Sequence, residues 1–246
     1  MNLFEQILSW LTDPDHWQTT LGIAGIPQRV GEHLRYTGLA VLVSALIAVP
    51  LGAWIGHTGR GGTVVVGLVN SLRALPELGL VVLLVLALGI TYAVPALTIA
   101  LVVLGVPVLL AGTYAGVRNV DRSVVDAARG MGMTEWEILL KVELPNALPL
   151  MFGALRAASL QIIATVAIAA QISLGGLGRY VIDGFAFREF DQMAAGAILI
   201  AALAVVVELV LTGLQWLVIS PGLRKARTTR FKSTQQRALA PASEST

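Results

Sequence analysis

Residues 36–56 read Tyr-Thr-Gly-Leu-Ala-Val-Leu-Val-Ser-Ala-Leu-Ile-Ala-Val-Pro-Leu-Gly-Ala-Trp-Ile-Gly, without a single charge. In a helix rising ~1.5 Å per residue, such a run covers the ~30 Å hydrocarbon core of a bilayer. Lipid offers nothing to an open backbone N–H or C=O, so the run must be helical. Four further blocks share this character: residues 64–90, 94–117, 157–174 and 193–219. The second is interrupted by Arg73, Pro76 and Glu77, the third contains Pro107, and the fifth carries Glu208 as its only charge. The chain therefore reads as an all-α, polytopic membrane protein with five core transmembrane helices. Prolines inside the blocks predict kinks whose freed carbonyls are satisfied by neighbouring helices.

The composition agrees: 56% of the 246 residues are hydrophobic and 13% charged, against roughly a quarter charged in soluble domains. There is no cysteine, which excludes disulfides, thiolate metal sites and cysteine nucleophiles. His16, His33 and His57 are dispersed, and no Ser/His/Asp set shares a span or loop. No catalytic site and no metal site is expected. The basic residues form no stripe, so no nucleic-acid partner is expected either. Glu5, Asp13 and Asp15 come early without a basic n-region, so insertion is expected to rely on an internal span.

Five spans put the termini on opposite sides. Loop 57–63, loop 118–149 and the tail together hold 11 lysines and arginines, whereas the other side holds Arg29, Arg35, Arg179 and Arg188. This positive-inside bias predicts an external N-terminus and a cytoplasmic C-terminus. Residues 1–35 mix short apolar runs (3–11 and 21–26) with charge and read as an external, interfacial amphipathic segment. A short sixth span is the alternative. Residues 36–221 form the membrane domain. Residues 222–246, basic and rich in Ser, Thr and Ala, read as a disordered cytoplasmic tail near anionic lipid.

The polar stretch 119–149 reads Asn-Val-Asp-Arg-Ser-Val-Val-Asp-Ala-Ala-Arg-Gly-Met-Gly-Met-Thr-Glu-Trp-Glu-Ile-Leu-Leu-Lys-Val-Glu-Leu-Pro-Asn-Ala-Leu-Pro. Asp121 or Ser123 is placed to N-cap a first short helix. Gly130 and Gly132 supply its stop, where positive φ costs little. Thr134 with Glu137 matches a capping box that opens a second helix. Leu144-Pro145 is expected to end it, because a residue before proline is biased away from α. Apolar residues in such a loop need a partner surface, either the ends of the chain's own spans or another protein.

Within this stretch, Asp126-Ala127-Ala128, three residues, Gly132, nine residues, then Val142-Glu143-Leu144-Pro145 resembles the EAA loop of bacterial ABC importer permeases. That family pattern is Glu-Ala-Ala, three residues, Gly, nine residues, Ile, any residue, Leu-Pro. Asp126 and Val142 are its two mild departures here. The resemblance extends over residues 32–219 and implies the type I ABC permease fold. It also implies that the first short helix is a coupling helix seated in a groove of an ATPase subunit. Ala127 and Ala128 would allow close approach and Gly132 the turn. No G-x-x-x-x-G-K-[ST] occurs in the chain. ATP and magnesium are thus expected on a partner ATPase dimer and no cofactor on this chain, a transport subunit rather than an enzyme. A second permease subunit and an external solute-binding protein or lipoprotein complete the implied assembly in the cell membrane.

Residues 46–52, 130–134 and 174–178 resemble the osmoprotectant permeases, importers of glycine betaine, choline, proline and related quaternary amines. Methionine-importer permeases share the five-span plan. A proton-coupled carrier using Glu77 and Glu208 as a relay is a different class of reading, and a structural or assembly membrane protein a third.

Charge inside a span is a functional hypothesis by default. Counted from Val64, Arg73 lies about 14 Å deep and Glu77 about 20 Å, near the midplane. Four residues apart on one helix, they would share a face, either lining the translocation path or neutralising each other. Glu208 has no partner within a turn of its own helix and reads as a neutral acid bonded to another helix. Arg156 reads as snorkelling to the interface. Gly175, Gly176 and Gly178 read as an external loop, with a gate role implied by the resemblance. Residues 183–191 mix charge with phenylalanine, suiting either a binding protein or interfacial anchoring.

Overall fold

The computed structural model describes residues 2–19 and 24–219, without the side chains of residues 66, 70 and 73. The expectations for the run 21–26 and for the tail 222–246 fall largely or wholly outside the described residues. In chain order the helices are α1 (Leu3–Thr12), α2 (Ile26–Thr58), α3 (Gly62–Arg73), α4 (Glu77–Leu88), α5 (Ala93–Arg118) and α6 (Arg122–Gly130). There follow α7 (Glu135–Glu137), α8 (Leu144–Val166), α9 (Gly178–Phe187) and α10 (Phe190–Val218). The described residues contain no strand.

Four continuous helical stretches are long and apolar enough to cross a membrane: Ile26–Thr58, Ile90–Arg118, Glu135–Ile172 and Phe190–Val218. The fifth pass is α3 followed by α4. Val65 and Val69 of α3 pack with Leu109 and Leu110, near the end of α5. Val81 and Val85 of α4 pack with Ala93, Ala96, Leu97 and Ala100, near its start. The pair therefore runs antiparallel to α5 along its whole length, and the all-α bundle has five core passes.

Three details differ from the sequence reading. Helix α2 begins at Ile26, ten residues before the uncharged run, so Arg29, Glu32 and His33 ride on the first spanning helix. The second block is broken after Arg73 and resumes at Glu77, with Pro76 extended at φ −67° and ψ 115°. Arg73 and Glu77 therefore do not share one helix face. Thirdly, Leu144-Pro145 does not end the second loop helix, which continues unbroken to residue 172. A π-helical stretch, Ile138–Glu143, precedes the proline, and its widened turns remove the need for an i→i−4 donor there.

Small residues set the helix spacing. Gly52 and Gly56 of α2 face Thr113 and Val117 of α5, while Gly112 and Gly116 of α5 face Ala154 and Ala147 of α8. Both pairs are four apart, the spacing that lets backbones approach where lipid provides no hydrophobic drive. A Cβ built on Gly56 would lie 2.8 Å from the Val117 Cβ. Gly56→Leu should therefore destabilise the bundle by about 1–3 kcal/mol through overpacking. A lowered melting temperature of the detergent-solubilised protein would show it; an unchanged one would mean that α2 and α5 separate freely.

Helix α1 is held by Trp10, which packs with Ile26 of α2 and Ala195 of α10. Trp10 also stacks on His16, with centroids 4.0 Å apart, and meets Tyr180 edge-on at 5.1 Å. One end of the bundle thus gathers Thr58, Arg118 and the loop 119–143. The other gathers Ile26, Ala93 and residues 173–189.

Candidate functional site

The loop 119–143 folds as a unit of its own. Asp121 caps α6, its carboxylate accepting from Ser123 N–H. Gly132 ends it at φ +84°: Gly132 N–H donates to Arg129 C=O and Met133 N–H to Ala128 C=O. That is the paired bonding of a Schellman motif, with glycine at the left-handed position and the next residue packed back on the helix. Gly130, the other expected stop, is the last helical residue and has no positive φ. Thr134 and Glu137 form the predicted capping box in full. Lys141 first, then the Thr134 bonds, hold the Glu137 carboxyl down to about 2.

Inside the loop, Val125, Ala128 and Ile138 form a small core, with Val120, Met133 and Val142 against it. Ala128 is 2% exposed, so it faces this core and has no surface to offer a partner. Val124, Ala127 and Met131 point outward, Met131 at 76% exposure. Arg129 ties α6 to α7, bonding the Glu135 carboxylate at 2.8 and 3.0 Å and Asp126 at 3.3 Å. Leu144 and its neighbour Ala147 pack with Ala53 and Val117, which seats the loop on α2 and α5; Pro145 is partly buried beside them.

Two features seat the loop further, and sequence reasoning missed both. His57, in the last turn of α2, lies 2.6 Å from Glu143 and 3.4 Å from Glu135. Trp54 meets Trp136 with centroids 6.2 Å apart. The one local hint is the placement of His57 at a helix C-terminus, where a cation is favoured.

Within the spans, Glu77 opens α4 at the break and reaches α8. The Thr165 hydroxyl lies 2.9 Å from its carboxylate, and Gln161 Nε2 lies 3.5 Å from it. The Thr165 hydroxyl also lies 3.0 Å from the Gln161 carbonyl, so one proton serves two acceptors. The Arg73 side chain lies outside the described part of the structure. Glu208 does have a partner: Arg156 Nη1 lies 3.1 Å from its carboxylate and donates to Thr212 Oγ1 at 2.9 Å. Arg156 therefore pairs within the bundle rather than snorkelling, because a carboxylate two helices away stands at its own depth. Glu77 and Glu208, the two carboxylates a proton relay would use, are held by different partners.

At the opposite end, the segment bearing Gly175, Gly176 and Gly178 is clamped to α2. Glu32 Oε2 accepts from Gly176 N–H at 2.8 Å, and His33 Nδ1 accepts from Leu177 N–H at 3.3 Å. The second histidine nitrogen faces Ile163 C=O at 3.0 Å. A Cβ on Gly175 would strike the Glu32 carboxylate, and one on Gly178 the Ala167 carbonyl. Arg179 and Asp183 pair along α9 at 2.8 Å, whereas Phe185, Phe187 and Phe190 stay exposed.

The comparisons with known proteins agree with this geometry. The chain is 32% identical over 196 residues to a carnitine transport permease of Listeria monocytogenes, covering 80% of this chain and 89% of that one. It is equally similar, over the same shares, to a glycine betaine/carnitine/choline transport system permease of Bacillus subtilis (strain 168). Its fold is similar to that of the MetNI methionine ABC transporter in an inward-facing conformation, with a TM-score of 0.67. That match is at 21% identity and covers 79% of this chain and 96% of the other. Residues 48–225 match the family model of the binding-protein-dependent transport system inner membrane component. With its broken second pass and its capped loop seated on α2 and α5, the chain belongs to the family of inner-membrane components of binding-protein-dependent transport systems.

Proposed function

We propose that this chain is the permease subunit of an ABC importer that carries an osmoprotectant of the glycine betaine, choline and carnitine type across the cell membrane. The observation that carries the coupling reading is the loop 119–143, a separately capped unit whose outward face, Val124, Ala127 and Met131, is apolar and exposed among the described residues. A separate ATPase dimer, holding ATP and magnesium, is the partner that face suits. The solute class rests on the relatives, whose names place carnitine, choline and glycine betaine together. The excess of basic residues in the loops and tail supports a cytoplasmic loop end and an external N-terminus. A second permease subunit completes the path, and an external binding protein delivers solute to the mouth formed around Gly175, Gly176 and Gly178.

The broken second pass gives the path its polar point. Discontinuous membrane helices place polar groups and helix ends at mid-depth, where solutes pass. Glu77, Gln161 and Thr165 supply such a cluster between two helices. Glu77→Gln keeps the volume and the Thr165 contact but removes the charge. It is expected to lower uptake of radiolabelled glycine betaine several-fold in proteoliposomes holding the ATPase and binding protein. Undiminished uptake would reduce the cluster to a structural joint. Uptake that proceeds without ATP, driven by a proton gradient, would replace the importer reading itself.

A further inference from the structure

Helix α2 is bonded at one end to the loop and at the other to the glycine segment, and its two anchor points are 25 residues apart, about 37 Å of helix. The loop anchor is His57. Its two ring nitrogens face different carboxylates, Nδ1 toward Glu143 Oε2 at 2.6 Å and Nε2 toward Glu135 Oε2 at 3.4 Å. The Nδ1 contact is the hydrogen bond, whereas Glu135, itself held by Arg129, stands beside Nε2. Glu143 is 3% exposed, and a buried polar group is costly without a bonding partner; among the described residues His57 bonds it directly and Arg129 acts on it from farther off.

We propose that α2 is a transmission rod and that His57, through its bond to Glu143, is the latch joining it to the coupling loop. The proposal rests on the coupling reading above. A loop displaced by the ATPase carries Glu135 on α7 and Glu143 on the π-helical turn with it. Through His57 the displacement reaches α2, and at the far end α2 moves Glu32 and His33 against Gly176 and Leu177. Discrete shifts of packed helices are how such motion passes through a bundle. His57 is thus a positioning residue for transport and touches no solute.

The charged groups around the latch are Glu135 and Glu143, with Arg129 and Asp126 of α6 joined to Glu135. From α5, Arg118 sits beside Gly59, at the end of α2.

The test uses the complete importer in proteoliposomes, reading ATP hydrolysed per solute imported. His57→Ala should co-purify with the ATPase subunit and hydrolyse ATP, yet have lost most import. His57→Gln keeps an N–H donor toward Glu143 and should import at a ratio close to wild type. If His57→Ala imports at the wild-type ratio, the latch is refuted. It is equally refuted if His57→Gln hydrolyses ATP without import, an arm that decides even where the alanine variant fails to assemble. Absence of the ATPase subunit from the purified wild-type complex would overturn the coupling reading, and the latch with it.

Discussion

Gly132→Val is expected to abolish ATP-driven import while all five passes still insert. Gly132 sits at φ +84°, and the space around its missing Cβ is open. Steric room is therefore not the constraint; backbone conformation is. Left-handed geometry costs an L-residue roughly 1–2 kcal/mol, and a β-branched one more. Valine would relieve that strain by abandoning the turn. The two bonds that close α6, from Gly132 and Met133, would go with it. Helix α6 would then lose its angle to α7, and with it the outward face of Val124, Ala127 and Met131. No spanning helix contains residue 132, so membrane insertion is the internal control. Gly132→Ala should fall between, and Gly132→Asn, which tolerates the left-handed region, should retain the most import. Wild-type uptake by the valine variant would remove the loop from the coupling account.

Arg156→Ala is expected to be among the most damaging substitutions for stability. It would leave the Glu208 carboxylate without its cation inside the bundle and Thr212 without its donor. The pair is partly buried, at 29% and 34% exposure, so the loss should fall below the roughly 3–5 kcal/mol of breaking a fully buried pair. Glu208→Ala should do comparable harm for the mirror reason. Replacing both by methionine removes both charges together and should restore much of the loss, since apolar replacement of a whole buried pair is often neutral. Thermal unfolding in detergent for the two single variants and the double variant measures the coupling. Independent, additive losses would mean that the two side chains do not act as a pair.

The parts legible in the sequence are those set by local rules. Lipid fixes span length and forces helices, so the five blocks could be read from residues 36–56 outward. Caps and turns are equally local: Asp121, Thr134 with Glu137, and Gly132 all act where their residue types place them. Two local rules misled. Pro145 follows a π-helical turn, where its missing donor is harmless, so the helix did not stop. Pro76 did break its helix, and with that break the common face of Arg73 and Glu77 disappeared.

What could not be read was long-range pairing. Glu32 and Gly176 are 144 residues apart, and His57 and Glu143 are 86 apart. Neither composition nor periodicity says which polar groups will meet across a bundle. Glu208 shows the consequence: lacking a neighbour on its own helix, it read as a neutral acid, whereas Arg156 of α8 is its partner.

The central claim is that the outward face of α6 docks on an ATPase subunit, and site-specific cross-linking tests it most directly. The chain has no cysteine, so each introduced one is the only one present. Ala127→Cys and Met131→Cys should cross-link to the ATPase subunit in a transport-active complex. Ala128→Cys, buried against Ile138, should not, nor should Phe185→Cys, exposed at the opposite end. Cross-links to the ATPase from position 185 instead, or from neither 127 nor 131 in an active complex, would contradict the account.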